Sequence, residues 1–136
     1  MKDIFPLIEE GIKSGGKYRF YPRGTSMLPL IREGKDSVVF TEVGEIKKYD
    51  IILYQRDNGD YVMHRVVGVN GEVYDLCGDN QHNIEHGIRK DQVKAVVSGV
   101  YRDNEFISSD DPKHIKYSVF IKKGWFSNVF ILKRSL

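Results

Sequence analysis

Cysteine is almost absent: Cys77 is the only one among 136 residues. A single thiol excludes an internal disulfide framework and leaves the redox compartment open. No apolar run approaches the roughly 18 residues that a membrane-spanning helix requires. The opening Met1-Lys2-Asp3, which runs directly into a segment carrying Glu9-Glu10, predicts no secretory leader. Charge of one sign is not in excess either. The formal net charge is only +2, too small to predict a nucleic-acid surface. Repeats and low-complexity linkers are also lacking. These absences predict one domain over 1–136, cytoplasmic or peripheral to a membrane, with no transmembrane segment or signal peptide. What is present is ordinary for a globular chain, with 40% hydrophobic and 29% charged residues.

The pattern along the chain predicts a mostly β fold of coiled antiparallel sheets with one short N-terminal helix. Asp3 is a candidate cap, Ile4, Ile8 and Ile12 recur on one helical face, and Gly15-Gly16 ends the segment, giving a helix over 3–14. One short helix is too little for a helix-turn-helix. From Lys17 the signals are those of strands: Lys17–Tyr21, Ser37–Thr41, Asp50–Tyr54, Tyr61–Val67, Glu72–Leu76 and Val93–Tyr101. Asp57-Asn58-Gly59-Asp60 and Asn70-Gly71 join the middle three into a meander. The stretch Cys77–Ile88 reads as turn-rich. A β core of about 17–101 is thus followed by an extension over 102–136, where Asp110-Asp111-Pro112 is a break and Tyr117–Ile121 starts a strand or helix.

The stretch Arg23-Gly24-Thr25-Ser26-Met27-Leu28-Pro29 must bend, because Gly24 permits positive φ and Pro29 biases Leu28 away from helix. A serine on such a bend is presented outward, and the amides of Ser26 and Met27 are placed to meet an oxyanion. The commoner fate of a serine in a Gly-Thr-Ser turn is to bond its own backbone. His64 sits mid-strand with Val62 and Val66 on one face, where a histidine is usually a packed, hydrogen-bonded side chain. Asp79 and Glu85 follow in the next loop. Either carboxylate can orient an imidazole, and either can simply belong to a turn. Cys77, His82 and His86 supply three donors without a fourth and do not specify a zinc site. The C-terminal Trp125–Leu132, flanked by Lys122, Lys123, Lys133 and Arg134, fits packing on the domain or peripheral contact with a membrane interface.

Taken together, these residues resemble a known family. Gly24-Thr25-Ser26-Met27-Leu28-Pro29, with Gly34 and the Val38-Val39 strand, resembles the Ser-Met-x-Pro box of type I signal peptidases. Tyr49-Asp50-Ile51-Ile52 is similar to their Gly-Asp-Ile-Val strand, with Tyr49 in place of the glycine. His64-Arg65-Val66-Val67 and Gly78-Asp79-Asn80 resemble the His-Arg-Val and Gly-Asp-Asn boxes of the endoplasmic-reticulum-type enzymes. The same superfamily includes self-cleaving repressors of the LexA type.

The resemblance implies a serine endopeptidase acting on a signal or leader peptide bound as an extended strand. Ser26 is then the nucleophile, His64 the general base, the Ser26 and Met27 amides the oxyanion site, and Glu85 or Asp79 the third catalytic group. It implies no cofactor and no metal, and a peptide or preprotein as partner rather than nucleic acid. One departure is that true signal peptidases are membrane-anchored. The alternative is a non-catalytic or self-processing regulatory module of the same fold that binds a protein partner.

Overall fold

The computed structural model describes residues 4–111. Helix α1 (Ile4–Lys13) precedes eight strands: β1 (Tyr18–Phe20), β2 (Ser37–Thr41), β3 (Ile51–Gln55), β4 (Tyr61–Asn70), β5 (Val73–Cys77), β6 (Glu85–Arg89), β7 (Val93–Arg102) and β8 (Glu105–Ser108). A short 3-10 turn over Lys90–Gln92 leads into β7. Every pairing is antiparallel. The sheet is open, in the order β1-β2-β7-β3-β4-β5-β6, with β8 also on β7.

Each element follows from local chemistry. Ile8 and Ile12 of α1 are fully or nearly fully buried and Ile4 packs beside them, as the i, i+4, i+8 spacing requires. The helix stops at Gly15, whose φ is +85°. Gly15 N–H donates to Ile12 O at 2.9 Å and Gly16 N–H to Gly11 O at 3.1 Å, a Schellman closure. The β4–β5 hairpin has Gly71-Glu72 as its loop, with Asn70 paired to Val73, and of these only Gly71 has positive φ. The glycine therefore sits first in the turn, one place earlier than in an Asn-Gly type I′ loop.

Two strands arise where the sequence pattern is silent. Strand β6 lies in the turn-rich stretch, and of its five residues only Ile88 is buried. Its extended form comes from pairing with β5 (Val73 to Arg89, Tyr74 to Ile88, Leu76 to Glu85) rather than from alternation of its own. Strand β8 follows a two-residue turn of Asp103 and Asn104, both at positive φ, which is the type I′ requirement. Asp3, the Tyr117–Ile121 segment and the C-terminal aromatic and basic stretch lie outside the described residues.

The core divides into two clusters across the sheet. One joins α1 to Phe20, Val38, Phe40, Ile51, Leu53 and Val97, and also takes in Met27, Leu30 and Ile31 from the connection between β1 and β2. The other joins Ile46, Ile52, Tyr54, Val66, Tyr74, Leu76, Ile88 and Val93. Burying a side chain such as Leu30, fully enclosed here, contributes about 1.5–3 kcal/mol. No helix among the described residues is long and apolar enough to cross a membrane.

Candidate active site

The β1–β2 connection is a loop held down by its apolar residues. Gly24 turns it at φ +90°, Thr25 O accepts from Leu28 N–H at 3.2 Å, and Met27 O accepts from Ile31 N–H at 3.0 Å. Leu28–Pro29 is a cis peptide. Met27, Leu30 and Ile31 sink into the first cluster, which leaves Ser26 half-buried at the surface of a cleft. Arg102 of β7 fastens the far side by donating to the carbonyls of Pro29 and Leu30. The N–H groups of Ser26 and Met27 make no hydrogen bond among the described residues.

His64 faces the same cleft from β4. The cleft holds about 180 Å³ between residues 22–24, Ser26, Met27 and Ile31 on one side and residues 61–64 on the other. Strand β3 pairs with Tyr61 through Arg65, but β5 joins β4 only from Arg65 onward, where Arg65 meets both Ile51 and Cys77. Strand β5 therefore does not run alongside Tyr61–His64, and the cleft lies beyond the end of that pairing.

Gly78 explains how the two sides are brought together. A Cβ placed on Gly78 would lie 2.7 Å from Ser26 O and 3.1 Å from His64 Cδ2. Only a glycine lets the chain pass between the serine loop and the imidazole. Asn80 then clamps the same loop, its N–H donating to Ser26 O at 2.8 Å and its Nδ2 to Thr25 O at 3.1 Å.

The two candidate carboxylates occupy different places. Asp79 is wholly buried against Arg65, which donates from Nε and Nη2 to its two oxygens at 2.8 Å each. Arg65 Nη1 also donates to Tyr49 O at 2.9 Å. Glu85 lies on the His64 side. Its Oε1 accepts from Tyr54 Oη at 2.7 Å, and Tyr54 Oη lies 3.4 Å from His64 Nδ1. Arg56 grips the same carboxylate at 3.0–3.2 Å. Burial pushes the Glu85 carboxyl up, but the hydrogen bonds from Arg56 and Tyr54 outweigh it and hold the group below its ordinary range. Burial and the adjacent Glu85 raise the Tyr54 hydroxyl, keeping it protonated and a donor.

Tyr49 has φ +80°, a left-handed conformation that glycine adopts freely and tyrosine does not. It is held there by its N–H to Val66 O at 2.7 Å and by Arg65 on its carbonyl.

Cys77 and the loop histidines do not converge. Cys77 is buried with its thiol toward the carbonyls of Gly78 and Gln81, and His86 faces Asp75 at 3.0 Å. Among the described residues no three His, Cys, Asp or Glu side chains form a metal-holding group.

Sequence reasoning missed Tyr54, Arg56, Arg65 and Asn80. For Arg65 a signal existed: a charged residue mid-strand among β-branched neighbours needs a buried partner. Tyr54 reads as one more apolar residue of β3, and nothing local announces its hydroxyl.

No protein-family model matches the chain, and no curated protein matches it significantly.

Proposed function

We propose that this protein is a serine endopeptidase of the signal-peptidase-like class, with Ser26 as nucleophile and His64 as general base. The observation that supports it most is the closeness of the Ser26 loop and the His64 ring at Gly78, in one cleft. An extended peptide would lie in the cleft along Tyr61–His64, opposite residues 22–24, and its carbonyl would arrive beside Ser26. His64 Nε2 takes the Ser26 hydroxyl proton as Oγ bonds to the scissile carbon. The amides of Ser26 and Met27 hold the oxyanion. His64 then passes that proton to the leaving amine as the C–N bond breaks, and a water hydrolyses the acyl-serine by the same route. Histidine suits the task, since its unperturbed pKa of about 6.5 leaves it a free base at neutral pH. Of the two carboxylates, Glu85 is favoured as the third group because Asp79 is saturated by Arg65.

A fluorophosphonate probe tests this reading. Intact mass is expected to show one adduct on the wild type, mapped to Ser26, and none on Ser26→Ala or His64→Ala. On a cleavable leader peptide the double variant should be no slower than either single variant, since nucleophile and base act as a unit. Equal labelling of wild type and Ser26→Ala would sink the reading.

A further inference from the structure

His64 sits where two clefts meet, and the hydrogen-bond path from it to a carboxylate passes through a tyrosine. Tyr54 and His64 lie on neighbouring strands, with Ile52 opposite His64 and Val62 opposite Tyr54. The ring edge bearing Cδ2, which is bonded to Nε2, faces Gly78 and the Ser26 loop. The opposite edge bears Nδ1 and faces Tyr54 Oη. The Tyr54 proton is committed to Glu85 at 2.7 Å, so the oxygen's lone pair is what remains for Nδ1. An oxygen that accepts there selects the Nδ1–H tautomer and leaves Nε2, the neighbour of Cδ2, as the nitrogen with a lone pair.

We infer that Tyr54 is a positioning residue, whose hydroxyl relays Glu85 to His64 and fixes the imidazole tautomer that can accept the serine proton. The inference rests on the peptidase reading for its effect on rate, but the tautomer itself is a property of the resting protein. Arg56 completes the relay by fixing the carboxylate so that it accepts from Tyr54 rather than rotating away. The 3.4 Å separation is long for an N–H···O bond, as such contacts often are before substrate is bound. Among the described residues, the charged and titratable groups that face His64 include Tyr54, Arg56 and Glu85, with His82 in the second cleft and Arg23 across the first.

The test has one arm that needs no variant and no activity. In ¹⁵N-labelled wild type above the histidine pKa, two-dimensional long-range ¹H–¹⁵N spectra, assigned with His64→Ala, should show His64 as the Nδ1–H tautomer. An Nε2–H form would overturn the inference. In the second arm, Tyr54→Phe keeps the ring in the core and removes only the hydroxyl. His64 should then shift toward Nε2–H, and fluorophosphonate labelling of Ser26 should slow at least about tenfold. Losing an acceptor for the imidazolium lowers its pKa, so the acid limb of the labelling rate should move down by about half a pH unit. A tyrosine that only packs would leave tautomer and pH profile unchanged, and that result overturns the inference. Ser26→Ala labelling as fast as wild type would instead remove the peptidase reading and with it the effect on rate, while the spectra still decide the tautomer.

Discussion

Asp79 and Arg65 form a two-pronged ion pair in which both side chains are completely buried. The pair ties the residue after His64 to the residue after Gly78, so the two sequence boxes form one structural unit. Removing one member of such a pair strands a charge, which costs about 3–5 kcal/mol, whereas replacing both with apolar groups of similar volume is often neutral. Asp79→Asn is expected to lower stability by about 3 kcal/mol, and Arg65→Met with Asp79→Leu to recover most of that loss. Urea titrations of the three proteins measure it. A wild-type midpoint for Asp79→Asn would mean that the pair holds nothing.

Gly78→Ala tests the passage between Ser26 and His64. The new methyl would meet the Ser26 carbonyl at 2.7 Å, which no real Cβ tolerates, so the serine loop must move. Displacement of a nucleophile by about 1 Å can slow a reaction about 100-fold. Overpacking at one position costs only about 1–3 kcal/mol. Probe-labelling rate should therefore fall far more than thermal stability. Loss of both in proportion would mark Gly78 as a folding residue only.

Tyr49 should reverse the usual order of alanine and glycine. A non-glycine residue held left-handed costs on the order of 1–2 kcal/mol. At φ +80° that strain persists in Tyr49→Ala and is relieved in Tyr49→Gly. Both lose the same ring, which lies under Lys48 at 5.2 Å. Tyr49→Gly is thus expected to be more stable than Tyr49→Ala by about 1 kcal/mol, despite the larger chain entropy of glycine. Thermal melts of the two variants compare them directly, and the opposite ranking would show that the backbone relaxes elsewhere.

Glu85 should contribute stability that acid removes. Its carboxyl is held below the ordinary value of 4.5 by Arg56 and Tyr54 against the opposing effect of burial. A group depressed in the folded state stabilises above its unfolded pKa and loses that contribution as pH falls through the folded pKa. The melting temperature of Glu85→Gln should consequently fall below wild type at pH 7 and approach it near pH 3. A gap of constant size across that range would show that the loss is one of packing rather than charge.

The sequence by itself determined the elements whose signals are local. Ile4, Ile8 and Ile12 set the buried face of α1, and Gly15-Gly16 its end. Alternation and β-branching set β2, β3, β4, β5 and β7, and glycine-bearing turns set the meander. The bend at Gly24-Thr25-Ser26 was legible because two punctuating residues constrain the backbone within six positions. Tertiary structure decided everything that depends on a partner distant in the chain. Strand β6 has almost no apolar face and exists because β5 pairs with it; β8 depends on a turn whose two residues must both adopt positive φ. The fates of Asp79 and Glu85 were open for the same reason. Either carboxylate in an exposed loop sequence can reach many partners, and the choice rests on which cation folding brings alongside, Arg65 for one and Arg56 for the other. The hydroxyl of Tyr54 between Glu85 and His64 is the furthest from the sequence. It requires three strands to be in register at once, a condition set by packing and not by any single segment.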